Sequence, residues 1–359
     1  MNEYKTVRVA SGGYDVLIGR GLLYDAGRLI SLCHLVCKIL IVTDDNVAPL
    51  WLDRVVSSLC AAGFETETAI LPHGEGSKSL GCYGRILERC AEAGLTRGDM
   101  IAALGGGVIG DIAGFAAATY MRGIAYVQLP TTLLAAVDSS VGGKTAIDIK
   151  AGKNLCGAFH QPKLVICDLD TFSTLPDKIL SDGAAEVIKY GVIADRVLFS
   201  AMLKGKPDFD AEYVVETCVR IKADIVDRDL YDRGERRLLN FGHTVGHAIE
   251  KLSDYEIPHG HAVAAGMVYE AAAAVADNLC PENIATEITE ANKAWELPVK
   301  TAFTAAELAA AAMLDKKIDG GKLAIIVPKS DDKAEVRVIK AVDFSDYLQA
   351  GERLLSEEI

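Results

Sequence analysis

The chain has 359 residues, a length that suits two domains, and half of them are apolar. With 24% charged residues it is composed like a folded globular protein, which excludes a disordered tail, a collagen-like repeat and a disulfide scaffold. Fifty acidic against 37 basic residues give a formal charge of −13, so the chain has no general attraction for nucleic acid or anionic lipid. Any phosphate it holds needs a local cluster of cations. Nine cysteines, an odd number with no CxxC pair, predict free thiols in a reducing compartment. The N-terminus lacks the apolar stretch of a signal peptide, and the longest apolar run, 101–121, is broken by glycines and by Asp111. The expectation is a soluble, cytoplasmic protein.

In chain order, four short runs read as buried strands that end in polar or glycine turns: 38–45, 99–104, 125–129 and 164–168. Helical stretches lie between them, and 22 of the 33 glycines fall in residues 1–160, so the first half reads as a mostly parallel α/β sheet. After Leu175-Pro176 the apolar positions recur at helical spacing, as in Val214, Cys218, Ile221 and Ile225. Alanine-rich stretches at 262–276 and 302–312 are strong helix formers, with breaks at Pro298 and Gly320-Gly321. The expected division is an α/β domain over 1–176 and a mostly α-helical domain over 177–359.

Gly105, Gly107 and Gly110 satisfy GxGxxG between a strand and a helix, where backbone amides at a helix start can approach a pyrophosphate. Such triplets also serve turns that bind nothing. A ribose-binding acid is expected about 20 residues later, but the next strand runs into Pro130-Thr131-Thr132, so Asp44 is the substitute candidate. A second glycine-rich passage, 137–153, contains Gly142-Gly143-Lys144-Thr145 without the full P-loop spacing, which rejects an ATP-binding reading. It reads as a flexible turn carrying Lys144 and Lys153-Asn154, or more plainly as a solvated loop with two lysines.

Four of the seven histidines, His243, His247, His259 and His261, fall within 19 residues and suggest a metal site. Spacing favours His243 with His247, which share a helix face. Glu186 is an acid in an otherwise apolar helical stretch, with Lys189 three residues on along the same face. Two imidazoles and one carboxylate make a catalytic zinc set with positions left for substrate oxygens.

The segments YDVLIG (14–19), GEGSKSL (74–80), ALGGGVIGDIAGFAAATYMRG (103–123), QLPTTLLAAVDSSVGGKTAID (128–148), GKNLCGAFHQP (152–162), EVIKYG (186–191), LLNFGHTVGHAIE (238–250) and PHGHAVAAGM (258–267) together resemble the 3-dehydroquinate synthase family, one of the sugar phosphate cyclases. The resemblance runs in order along nearly the whole chain. It implies a cytoplasmic homodimer in which each subunit has a Rossmann-like NAD-binding domain, a helical metal- and substrate-binding domain, and an active site in the cleft between them. The implied ligands of a Zn2+ or Co2+ ion are Glu186, His243 and His259, which moves His247 to the substrate side and departs from the spacing argument. NAD would be held by Asp44, Asn46, Glu75, Lys78, Gly106, Gly107, Val108, Asp111, Thr131, Thr132 and the run Thr171, Phe172, Ser173, Thr174. Lys144 and Lys153 would sit where cofactor and substrate meet. Arg122, Lys153, Asn154, Lys189, Lys222, Arg236, Asn240 and one of Lys316 or Lys317 would meet the carboxylate and phosphate of a phosphorylated sugar acid.

The implied reaction is that of a carbon–oxygen lyase acting on phosphates, and it starts from 3-deoxy-D-arabino-heptulosonate 7-phosphate. The C5 hydroxyl is oxidised with NAD+ while a metal polarises its oxygen, phosphate is eliminated, the hydride returns, and ring opening with an intramolecular aldol closure gives 3-dehydroquinate. Asp138 and His247 are the candidates for relaying protons at the C5 oxygen, with Lys144 and Lys153 beside them.

Two positions depart from the family's usual pattern: His261 stands where glutamate is usual, and Asp232 likewise replaces a glutamate. The extra imidazole offers a competing ligand or an altered hydrogen bond behind His259. The rivals are a cyclase of the 2-deoxy-scyllo-inosose synthase type, disfavoured by the intact VDSSVGGKT, and a metal-dependent alcohol or glycerol dehydrogenase, which has no need of so many lysines and arginines. A silent NAD-binding protein is disfavoured by the full metal and lysine sets.

Overall fold

A computed structural model describes residues 3–232, 234–313, 320–329 and 333–357. The chain forms two compact units, residues 1–176 with 211–231, and residues 177–210 with 232–359.

The first unit is built on a seven-stranded sheet. Its strands are β1 (Tyr4–Val9), β2 (Tyr14–Gly19), β3 (Lys38–Asp44), β4 (Glu65–Leu71), β5 (Met100–Gly105), β6 (Ala125–Pro130) and, after a separate hairpin, β9 (Leu164–Asp168). The spatial order is β1-β2-β9-β6-β5-β3-β4, parallel throughout except for β1 against β2. The four expected strands are the middle ones, and alternation explains their continuous apolar runs. Ile39 and Ile41 face a core with α1 (Ala26–Ser31) and α2 (Asp53–Ala61). Leu40 and Val42 face the opposite core with α3 (Leu80–Glu92) and α4 (Gly107–Thr119). Strands covered on both faces have no polar side to show.

The passage expected to be a flexible turn is instead the antiparallel hairpin β7 (Lys144–Ile149) and β8 (Gly152–Phe159). Thr145 and Ile147 of β7 are buried, and Ile147 joins the core beside α3 and α4, which turns a glycine-rich run into fixed structure.

The second unit is mostly helical: α5 (Asp177–Ala194), α6 (Arg196–Met202), α8 (His243–Leu252), α9 (His259–Ala276), α10 (Ile284–Ala294), α11 (Ala305–Ala312) and α12 (Phe344–Glu357), with one hairpin, β10 (Lys322–Pro328) and β11 (Ala334–Lys340). Its core gathers Val245 and Ile249 of α8, Ala262 and Ala273 of α9, Leu308 of α11 and Phe344 of α12.

The chain-order division at 176 marks one change of unit, but α7 (Ala211–Arg228), expected in the helical half, belongs to the first unit. It packs on β1 and β2, and Asp227 accepts the amides of Ala10 (3.1 Å) and Ser11 (2.7 Å). Its apolar stripe, with Val214, Cys218 and Ile225 buried, is what that packing uses. Among the described residues no helix is long and apolar enough to cross a membrane, and all nine cysteines are free.

Candidate active site

In the first unit the chain reverses its winding between β3 and β5, which are neighbours although β4 intervenes in sequence. Crevices beyond the strand ends at such a reversal are where α/β sheets take ligands. Val42 pairs with Ala103, so Asp44 and Gly105 stand level at the end of adjacent strands. Gly106 then caps α4 without any side chain, which leaves the first amides of that 13-residue helix to an external acceptor. A Cβ on Gly106 would lie 3.2 Å from Thr132 Cγ2, and one on Gly107 3.0 Å from Ser139 Oγ, so bulk is excluded at this turn. The Thr131 hydroxyl is buried with no partner, and its amide donates to Gly105 O at 3.0 Å. Asp44 Oδ1 accepts the amides of Asn46 and Val47, both at 2.9 Å, which holds the carboxylate in one orientation.

Charged groups gather beside the turn. Lys78, 6% exposed, pairs with Asp111 at 2.5 Å, and Lys153 stands 3.7 Å from Glu75. Burial works against the Lys78 ammonium, but Asp111, Glu75 and Asp148 outweigh it and raise its pKa. Lys78 O accepts the Asp148 amide at 2.7 Å, while Asp148 Oδ1 accepts the Asn154 amide at 2.8 Å with Asn154 in a left-handed conformation (φ 55°). Lys222 of α7 bonds both Asp138 Oδ1 (2.9 Å) and Asp138 O (2.6 Å). One expected residue stands away from this group. Arg122 is exposed at the far end of α4 from the glycine turn, about 20 Å along the helix, so this unit does not bring it to the other cations. Lys144 begins β7 whereas Lys153 pairs near its other end, about 13 Å of strand away. Thr171, Ser173 and Thr174 form a short helical turn with Phe172, each hydroxyl donating to a local carbonyl.

The second unit assembles the acid and histidines. Glu186 lies in the middle of α5 with no exposed surface, and its oxygens accept no hydrogen bond of regular geometry. Such a carboxylate needs opposite charge around it. Lys189, one turn on and 1% exposed, pairs with Oε2, and Oε1 lies 3.4 Å from His243 Nε2 and 3.5 Å from His259 Nε2. The other ring nitrogens are engaged: His243 Nδ1 with Phe241 O at 3.1 Å and His259 Nδ1 with Glu250 Oε2 at 3.4 Å. That puts a proton on each Nδ1 and turns both Nε2 atoms toward Glu186, where a divalent ion would displace any proton they carry. One donor atom from each of these three residues lies within 4.8 Å of the others. Burial opposes charge on His259, but Glu186 and Glu250 outweigh it and push its pKa up to about 10.

His247 is close to both other rings and shares a second set with Glu250 and His259. Among the described residues no such set holds both His243 and His247, and the set containing Glu186 is the more deeply buried one. His261 is turned away, its Nδ1 donating to Asp182 at 3.0 Å, so it does not compete for the site. Arg236 is buried on the short helix Glu235–Asn240 that also carries Asn240, and Asp232 is left-handed just before it (φ 57°). Lys316 and Lys317 lie outside the described residues. Sequence reasoning missed Glu250, Glu270 and Asp182, each an acid buried on a helix that bears a ligand candidate. The signal that picked out Glu186, an acid in an apolar helical run, also marks Glu270.

The N-terminal model of the 3-dehydroquinate synthase family matches residues 68–182, and its C-terminal model matches residues 183–318. The chain belongs to the 3-dehydroquinate synthase family. A 3-dehydroquinate synthase of Pelotomaculum thermopropionicum is 42% identical over 364 residues, covering 98% of each chain. Among solved structures, 2-epi-5-epi-valiolone synthase from Streptomyces hygroscopicus, with NAD+ and Zn2+ bound, aligns at a TM-score of 0.86 and 24% identity over 100% of this chain and 99% of that one. A 2-deoxy-scyllo-inosose synthase with carbaglucose-6-phosphate, NAD+ and Co2+ aligns at 0.84 and 24% identity, over 97% and 99%. At that identity these two speak for the fold, and family membership rests on the sequence matches.

Proposed function

We propose that the residues placed above divide the work of the 3-dehydroquinate synthase reaction, the conversion of 3-deoxy-D-arabino-heptulosonate 7-phosphate to 3-dehydroquinate and phosphate. The observation that carries the reading is the trio Glu186, His243 and His259, the first two buried and the third half-buried, with both Nε2 atoms turned to one carboxylate. When bound, NAD+ takes up and returns the C5 hydride and a divalent metal ion draws charge from the C5 oxygen.

The chain's own groups do the rest. Glu186, His243 and His259 hold the metal. Asp44, Thr131, Thr132 and the amides at the start of α4 hold the cofactor, with Asn46, Glu75, Lys78, Val108, Asp111 and residues 171–174 shaping its surroundings. Lys153, Asn154, Lys189, Lys222, Arg236 and Asn240 meet the carboxylate and phosphate and stabilise charge on the departing phosphate. These cations answer the requirement that an acidic chain of net charge −13 hold phosphate locally. Asp138 and His247 hold and move the proton at the C5 oxygen, and the Lys222 ammonium, bonded to Asp138 Oδ1 and O, holds that side chain in place. The protein works as a cytoplasmic homodimer, as the family resemblance implies.

The test is phosphate release from the heptulosonate phosphate with metal and a catalytic amount of NAD+, with absorbance followed for net NADH. Many turnovers per NAD+ without NADH accumulation, and dehydroquinate as product, are expected. No phosphate release sends the chain to the other cyclases, and NADH accumulating with simple polyols sends it to the dehydrogenases.

A further inference from the structure

Two of the three proposed ligands open their helices: His243 is the first residue of α8 and His259 the first of α9. A helix start leaves amides without intrahelical partners, and neither preceding residue, Gly242 or Pro258, offers a side chain to cap them. Buried carboxylates from other helices do so. Glu270 of α9 reaches the start of α8, where Oε2 accepts the Gly242 amide at 2.9 Å and Oε1 the Val245 amide at 3.1 Å. Asp182 of α5 reaches the start of α9, where Oδ1 accepts both the His261 amide at 3.1 Å and its ring Nδ1 at 3.0 Å. Glu250 of α8 then faces the ring of His259, which returns the connection to α9.

Each ligand-bearing helix thus lends one carboxylate to another, and the helices touch backbone to backbone where this happens. A Cβ on Gly260 would lie 1.9 Å from Asp182 O, and one on Gly266 2.1 Å from Gly242 O. With no side chain between them, a shift of either cap moves the adjoining histidine directly. Asp182 also sits one turn before Glu186 on α5, so the group that fixes α9 and the carboxylate facing His259 move together.

We propose that Asp182 and Glu270 are positioning residues for the metal site, setting where His259 and His243 present Nε2 to Glu186 by capping the helices those histidines begin. The inference rests on the metal reading of the preceding subsection. If these carboxylates only stabilised helices, their loss would lower the melting temperature and leave metal affinity per folded chain unchanged.

The experiment is Co2+ titration of the full chain, with Zn2+ affinity measured against a chromogenic chelator, for the parent, Asp182→Ala, Asp182→Asn, Glu270→Ala, Glu270→Gln and His243→Ala. Both alanine variants at the caps are expected to raise the metal Kd about 10–100-fold and to shift the cobalt absorption band, with NAD+ affinity unchanged. Asp182→Asn keeps the oxygen that accepts both bonds and is expected to stay within about threefold of the parent. Glu270→Gln can accept only one of its two amides and should fall between parent and alanine. Parent-like Kd and cobalt band in Asp182→Ala and Glu270→Ala overturn the inference, whatever happens to their melting temperatures. Should an alanine variant fail to fold, the isosteric Glu270→Gln decides by the same readouts. A parent that binds no metal, or a His243→Ala that binds it as well as the parent, overturns the metal reading and the inference with it. Loss in His243→Ala alone overturns only the inference.

Discussion

At the glycine turn of the first unit, the groups that would face a cofactor are largely main chain: the uncapped start of α4, amides folded around Asp44, and the strand ends of β3, β5 and β6. Around Glu186 in the second unit almost everything is side chain, delivered from α5, α8 and α9 and braced by carboxylates from those same helices. A site made of backbone is fixed as soon as its sheet forms, and a side-chain substitution nearby trims it by degrees. One made of side chains from separate helices fails abruptly when a ligand goes, because no neighbour can replace the lost atom.

The largest expected effect follows from that difference. His243→Ala should abolish stoichiometric metal and lower turnover by at least about 10³-fold, read by metal analysis and phosphate release on one preparation. Metal retained at one per chain would show the second unit's site to be as forgiving as the first's. In the first unit, Asp44→Ala removes the acceptor of two amides and the candidate ribose acid, and should raise the NAD+ Kd about 10–100-fold while leaving metal content intact. Equal loss of both cofactors would erase the distinction between the sites.

Acidity separates them further. His259 without metal keeps its proton up to about pH 10 because Glu186 and Glu250 outweigh its burial, so a metal ion must displace that proton. Metal Kd should therefore rise about tenfold for each unit that pH falls between 8 and 6, measured by chelator competition. NAD+ affinity should stay nearly flat over the same range, and a flat metal Kd would mean that His259 is already neutral. The smallest effect concerns α7. Burial would raise the Asp227 pKa, but the Ser11 hydroxyl and the amides of Ser11 and Ala10 outweigh it and hold the carboxyl below its ordinary value. A depressed folded-state pKa adds stability above the unfolded value near 4, which is lost as pH falls through the folded one. Asp227→Asn should thus lower stability at pH 7 by less than about 1 kcal/mol, given the residue's exposure, and change nothing at pH 2, as thermal unfolding at both would reveal.

How much of this was readable from residues alone follows the same line. The strands β3, β5, β6 and β9 announce themselves because burial on both faces demands unbroken apolar runs. The edge strand β4, ETETAIL, is mostly polar and half-exposed, and β7 (KTAIDI) and β8 (GKNLCGAF) mix polar with apolar residues, so none of the three reads as a buried apolar run. The periodicity of α7 is plain, but periodicity names a face and not its partner, so nothing in the stripe tells that this helix packs on β1 and β2. At the metal site, residue types pointed to Glu186 and the histidines, while spacing alone paired His243 with His247. Only the turn from α8 to α9 brings the His259 ring to the same carboxylate, and the caps by Asp182 and Glu270 depend on contacts between helices that no local pattern marks.

The return of α7 to the first unit has a consequence for how the protein is made. A ribosome releases the seven sheet strands, then α5 and α6 of the other unit, and only then the helix that completes the first. Until residue 231 is out, Asp138 lacks its Lys222 partner and the amides of Ala10 and Ser11 lack Asp227. Glu186 meanwhile waits, already synthesised, for histidines more than 50 residues downstream. Neither unit can close during synthesis before its neighbour has begun, and a chain ending at residue 176 would leave β1 and β2 without the helix that packs on them.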